Sequence, residues 1–160
     1  MQGDKDVIAF LNEQLTAELT AINQYWLHYK LQHNNGWVKL AEHTRRESIE
    51  EMRHADDLAE RIIFLDGLPN FQKLNPLRIG QTVTEMFECD MKVELEAVDR
   101  LRRGIRVMRE KDDVTSATIF ERILANEEEH IDYLETQLAL VGQLGEPLYL
   151  AQLVEQPSGS

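Results

Sequence analysis

The chain carries one cysteine, Cys89, with four prolines and eight glycines among 160 residues. A lone thiol cannot close an intrachain disulfide or build a Cys-rich metal site. A chain without disulfides is expected in a reducing, cytoplasmic compartment. So few turn formers exclude a sandwich of many short strands. Positive charge is also scarce: 17 Lys and Arg stand against 29 Asp and Glu, for a net charge of −12. Such a surface repels phosphate backbones and attracts cations, so no nucleic acid is expected as a partner. No stretch approaches the length of uncharged apolar residues that a membrane span needs, so no membrane is expected either. Met1-Gln2-Gly3-Asp4 shows no basic region followed by an apolar run, so no signal peptide is expected.

What is present is helical periodicity along nearly the whole chain. Ile8, Leu11, Leu15, Ile22 and Tyr25 form one stripe of a helix expected over residues 5–34, ended by Asn34-Asn35-Gly36. A second helix, 37–65, turns Leu40, Thr44, Ala55, Leu58, Ile62 and Leu65 inward. Asp66 through Gly80 contains two prolines and several turn formers and reads as a loop. A third helix, 82–111, shows Phe87, Met91, Val98, Leu101 and Met108, with Gly104 inside it at a propensity cost of about 1 kcal/mol. After Asp112-Asp113, a fourth helix, 115–142, shows Phe120, Leu124, Ile131, Leu134 and Leu138, and Gly142 and Gly145 are expected to stop it. Pro147 suits the opening of a short helix over 148–154, followed by a tail over 155–160. One domain spanning 1–160 is expected.

Loop length sets the topology. The breaks between helices 1 and 2 and between 3 and 4 are short, so each pair is an antiparallel hairpin. The linker from 66 to 80 is long enough, at roughly 50 Å when extended, to run the length of a bundle. The expected fold is therefore all-α: a four-helix bundle with one long crossover between helices 2 and 3, which makes those two helices parallel, plus a short C-terminal helix.

Two segments repeat one pattern. Glu51-Met52-Arg53-His54 and Glu127-Glu128-Glu129-His130 each place Glu and His three apart, on one side of a helix. A carboxylate beside an imidazole suits first-row transition metals better than Ca²⁺ or Mg²⁺. A further Glu precedes each motif by the same interval: Glu18 stands before Glu51 as Glu94 stands before Glu127, within the stripes of helices 1 and 3. The offset that carries Glu51 onto Glu127 also pairs Leu15 with Met91, Leu19 with Leu95, Ile22 with Val98, Leu58 with Leu134 and Ile62 with Leu138. The two hairpins thus read as copies of one unit related by a pseudo-twofold axis. Together they bring four carboxylates and two imidazoles to the bundle centre. Four buried carboxylates are costly unless cations neutralise them. Two divalent ions do so: two carboxylates bridge them and the other two cap one ion each.

This set, with Ala21-Ile22-Asn23-Gln24-Tyr25, Leu65-Asp66-Gly67-Leu68-Pro69 and Glu128-Glu129-His130-Ile131-Asp132, resembles the bacterioferritins, the haem-containing members of the ferritin-like di-iron proteins. The resemblance extends from Leu11 to Leu153. It implies a ferritin-like bundle in which Glu18, Glu51, His54, Glu94, Glu127 and His130 form a di-iron ferroxidase centre. Fe²⁺ is oxidised there by O₂ or H₂O₂, and the ferric product is stored as mineral in a cage of 24 copies built from twofold dimers. It further implies haem b shared between two subunits, with Met52 from each as axial ligand, and a small ferredoxin as electron donor.

Met52 lies about 100° around its helix from Glu51 and so points off the bundle centre. With Ile49, and with Leu19, Asn23 and Trp26 of helix 1, it forms an outer stripe that reads either as dimer packing or as haem ligation. Tyr25 shares the stripe of Glu18 and reads as an electron donor, a hydrogen-bond donor or a core residue. His28, His33 and His43 lack partnered spacing and are expected at the surface or an interface. Cys89 is expected as a small buried hydrophobe. Arg46 departs from the family, some of whose members carry His there in an inner-surface iron site beside acids such as Glu47 and Glu50. Asp66 and Asp132 read as pore-lining or simply solvated acids. Two rival readings use the same residues. A soluble di-iron oxidase or peroxidase without storage would need only the six ligands, and a rubrerythrin-type enzyme would need further cysteines. A structural helical assembly would leave the Glu and His incidental.

Overall fold

A computed structural model describes residues 1–155, so the expected tail lies outside the described residues apart from Glu155. Five helices follow one another: α1 (Lys5–Asn34), α2 (Val38–Phe64), α3 (Val83–Glu110), α4 (Val114–Leu144) and α5 (Glu146–Ala151). Polar side chains close the starts of α1, α3 and α4. Asp4 accepts from the backbone N–H of Asp6 and Val7, Thr82 and Glu85 form a reciprocal capping box, and Asp113 accepts from Ser116 N. The two hairpin turns are built alike. Gly36 at φ 84° and Asp112 at φ 59° both take the left-handed conformation, and Gly36 precedes Glu51 by the same interval as Asp112 precedes Glu127.

Two helix ends differ from expectation. Gly142 lies inside α4, which runs on to Leu144, because a single helical glycine leaves the hydrogen-bond ladder intact. The stop comes at Gly145, whose φ of 79° a side chain would resist. That glycine also opens α5, so the short helix begins at Glu146, with Pro147 in its first turn, and ends at Ala151 rather than at 154.

α1 packs against α2 and α3 against α4, while α1 meets α3 and α2 meets α4 across the bundle. All four pairings are antiparallel. α1 meets α3 through Gln14–Arg100 and Gln24–Asp90, and α2 meets α4 through Arg61–Asp113 and His43–Tyr133. Hence α2 and α3 run parallel, and the crossover climbs the length of α1. A polar stripe on α1 holds it there. Asn12 accepts from Asn70 N, Thr20 from Asn75 N, Gln24 from Arg78 N and His28 from Gly80 N, at 2.9–3.0 Å. Backbone donors of an extended segment are thereby satisfied without a sheet.

The core is split in two. One apolar cluster gathers Val7, Leu11, Leu15, Leu58, Ile62, Leu101 and Phe120 near the start of α1. The other gathers Leu40, Val83, Phe87, Leu134 and Tyr149 at the opposite end, where α5 docks. Between them lies a polar layer.

Candidate metal centre

The polar layer contains all six residues of the repeated motif. Glu18, Glu51, Glu94, Glu127 and His130 are buried, and His54 is nearly so. They form two overlapping groups. Glu18, Glu51, His54 and Glu127 bring one ligand atom each within 4.8 Å of one another, and so do Glu51, Glu94, Glu127 and His130. Glu51 and Glu127 belong to both, whereas Glu18 and His54 belong only to the first and Glu94 and His130 only to the second. His54 Nδ1 lies 3.1 Å from Glu127 and 3.6 Å from Glu18. His130 Nδ1 lies 3.3 Å from Glu94 and 3.4 Å from Glu51.

The protein alone leaves these groups underpaired. Glu18 Oε2, Glu51 Oε1, Glu94 Oε2, Glu127 Oε1 and His54 Nδ1 are buried without a well-aligned hydrogen bond, even where a neighbour is near. Such orphaned atoms are expensive unless something else satisfies them, and a pair of divalent cations among them would. The electrostatics agree. Burial, followed by the charges of Glu127 and Glu18, pushes the Glu51 carboxyl well above the usual range. Glu127 is also desolvated, but the His130 and His54 imidazoles pull it below that range. Desolvation would lower both imidazoles, yet the surrounding carboxylates outweigh it and push each up to about 10. Protons on these rings occupy the positions that cations would take.

Further residues complete the layer. The Tyr25 phenol donates to Glu94 and is fully buried. Burial, then the charges of Asp90 and nearby glutamates, raises it well above its ordinary value, so it holds its proton. His28 corrects the expectation of a surface or interface position. It is 0% exposed, its Nδ1 lies 3.0 Å from Asp90, and its Nε2 accepts from Gly80 N. Asp90 also accepts from Gln24, and burial raises its carboxyl despite both partners. A partner on another helix, far along the chain, leaves no local spacing to detect. His43 is half-buried, bonded to the buried Glu47 at 2.6 Å and stacked on Tyr133, while His33 is exposed. Glu50 lies 2.8 Å from His130 Nε2. Cys89 is partly rather than fully buried, while Phe87 and Asp90 of the same turn of α3 take the buried positions.

Met52 stands apart from the six residues, on the outer surface, 51% exposed. Ser48 Oγ donates to Ile22 O and Arg45 covers the Trp26 ring, which sets the α1–α2 register and puts Met52 opposite Leu19 on one outer seam. Trp26, Asn23, Arg46, Asp66 and Asp132 are likewise exposed. Among the described residues no helix is long and apolar enough to cross a membrane.

Comparison with known proteins agrees with this geometry. Residues 8–144 match the ferritin-like domain. The chain is 67% identical to bacterioferritin of Streptomyces coelicolor, over 99% of this chain and 98% of that protein. The chain belongs to the bacterioferritins. Bacterioferritin BfrA of Mycobacterium tuberculosis is 60% identical and its structure superposes with a TM-score of 0.96, covering 97% of this chain and 98% of that one. The bacterioferritin of Rhodobacter capsulatus, at 45% identity, has a TM-score of 0.97 with full coverage of both chains. That structure is described as having a metal-free dinuclear site and haem iron in a crystallographic special position. Membership of the bacterioferritins accounts for the fold and for the carboxylate–histidine groups able to hold metal.

Proposed function

We propose that this bacterioferritin stores iron and oxidises it at the layer between its two cores. The observation that carries the reading is the pair of overlapping ligand groups sharing Glu51 and Glu127. Two Fe²⁺ ions are the substrate, drawn in by the negative field of the chain. Glu18 and His54 cap one, Glu94 and His130 cap the other, and Glu51 and Glu127 bridge them. Each Fe²⁺ gives up one electron. The pair reduces H₂O₂ to two waters, or O₂ to H₂O₂, with uptake of two protons, and leaves as Fe³⁺. The protein's part is to hold the ions at a fixed separation and to balance their charge. Tyr25, hydrogen-bonded to the capping Glu94, is placed to steady that carboxylate or to supply an electron.

Storage requires a container, which we assign to a cage of 24 copies built of twofold dimers. Exposed apolar side chains along the crossover, Leu68, Phe71, Leu74 and Leu77, support burial against further copies. Met52 fits a haem b shared across a dimer axis, because an exposed thioether on an apolar outer seam is free to ligate. Haem there would supply one-electron transfer for mineral reduction, with a small ferredoxin as donor. The cell interior is the compartment that suits a single unpaired thiol. The exposed Arg46, with Glu47 and Glu50 engaged by His43 and His130, speaks against an inner-surface iron site.

The test is anaerobic loading with Fe²⁺ followed by oxidant, with particle mass measured by light scattering. Two Fe²⁺ per chain oxidised rapidly in a 24-copy particle, and loss of that phase in Glu127→Ala, is the expected result. Rapid oxidation in a monomer or dimer would favour a soluble di-iron oxidase. No stoichiometric metal would remove both readings.

A further inference from the structure

The pseudo-twofold axis that relates the six ligands also relates the groups behind the two imidazoles, and there the symmetry fails. His130 turns Nδ1 to the carboxylates of the layer, while its Nε2 lies 2.8 Å from Glu50 Oε2. The counterpart of Glu50 in the second hairpin is Asn126, which precedes Glu127 as Glu50 precedes Glu51. Asn126 shares with His54 the lining of a cavity of about 310 Å³, along with Glu50, Arg53, Asp57 and Arg122. The Oδ1 of Asn126 is buried and has no hydrogen-bond partner. One imidazole is therefore backed by a carboxylate, and its counterpart stands by a neutral amide.

The difference matters for metal affinity. A carboxylate that accepts the far N–H of a ligating histidine fixes its tautomer and ring plane and makes the coordinating nitrogen a stronger donor. Removing such a partner typically weakens metal binding by about 10- to 100-fold. A neutral amide accepts a weaker hydrogen bond than a carboxylate. The cavity charges do not restore the balance at His54, because Arg53 and Arg122 offset Asp57 and Glu50 there.

We infer that the two metal positions of this chain are unequal. The position made by Glu94 and His130 with the shared Glu51 and Glu127 takes a divalent first-row cation first and holds it more tightly. The position made by Glu18 and His54 fills second and exchanges with the adjoining cavity. Glu50 and Asn126 are positioning residues that set this order. The inference rests on the di-iron reading above.

The experiment titrates the assembled, metal-stripped protein with Co²⁺ alone, followed by calorimetry and by the visible absorption of bound Co²⁺. Two steps of one Co²⁺ per chain are expected, separated by about 10- to 100-fold in affinity. Asn126→Asp should tighten the second step by about tenfold and leave the first unchanged. Glu50→Gln should weaken the first by about tenfold and leave the second unchanged. Both replacements conserve shape at positions that are not fully buried, and a melting curve checks that each variant is folded. Two indistinguishable Co²⁺ ions, or Asn126→Asp acting on the first step, would overturn the inference while leaving the di-iron reading intact. Binding of no Co²⁺ would overturn both.

Discussion

Replacing Gly104 with alanine should destabilise this protein, against the usual rule for a helix interior. In an isolated helix the change is favourable by about 1 kcal/mol. Here the added methyl carbon would lie 2.4 Å from Phe120 Cε2, 2.8 Å from Phe120 Cδ2 and 3.1 Å from Phe10 Cδ1. Carbon atoms in contact rest at about 3.5–4.0 Å, so the Phe120 ring would have to withdraw by roughly 1 Å. It has nowhere to go, since Phe120 is fully buried in the cluster that also contains Leu101, Ile105, Ala117 and Ile123. Overpacking of this kind costs about 1–3 kcal/mol. Subtracting the propensity gain leaves a net loss of about 1 kcal/mol, with 2 as the upper end. Urea midpoints at fixed protomer concentration measure it, because assembly shifts apparent stability. In a Phe120→Leu background the same glycine change should become favourable, since the ring it strikes is gone. A coupling of about 1–2 kcal/mol between the two positions is expected. A higher midpoint for Gly104→Ala with Phe120 in place would refute the close-approach argument and leave the glycine as a helix defect.

Three further outcomes are expected. In metal-stripped protein, His54 and His130 are held up to about 10 because nearby carboxylates outweigh desolvation, so their contribution is full below about pH 6.5 and is lost as pH rises toward 10. Burial of Glu51 works in the same direction. Melts at pH 6 and pH 9 should show that fall in metal-stripped but not metal-loaded protein, and a flat profile in the stripped protein would count against the ion network. His28→Ala removes one of two partners of Asp90 and the acceptor of Gly80 N and should destabilise by about 3 kcal/mol, with faster hydrogen exchange at the Gly80 amide than in the first turns of α4 at the far end of the bundle. Unchanged exchange there would show that the crossover is held by other contacts. Met52→Leu should abolish the Soret band of haem-reconstituted protein while leaving Fe²⁺ oxidation intact, because Met52 is exposed on the outer seam, away from the layer of Glu18, Glu51, His54, Glu94, Glu127 and His130. Retained haem would remove Met52 as its ligand.

The layer that gathers the six Glu and His residues is legible in the sequence because its information is local and repeated. Glu-x-x-His needs only one helical turn, and a second copy in the matching helix of the other hairpin turned a weak motif into a paired one. The parallel arrangement of α2 and α3 was legible too, since a linker of that length and composition has one economical path along a bundle. The polar stripe Asn12, Thr20, Gln24 and His28 is not legible in the sequence. It follows the same spacing of four as the core stripe, but its partners are backbone donors of a loop, which leave no mark on the side-chain pattern. His28 in particular has no partner at local spacing, because its carboxylate, Asp90, belongs to α3.

Helix periodicity, loop length and the duplicated ligand motif reside in the order of residues, and each is decided within a few turns of chain. Which carboxylates are shared, what stands behind each imidazole, and where Gly104 meets Phe120 depend on side chains brought together from different helices. Those relations are set by how the helices rotate and slide as they pack. A shift of a fraction of a turn would alter every one of them without changing a single periodic spacing.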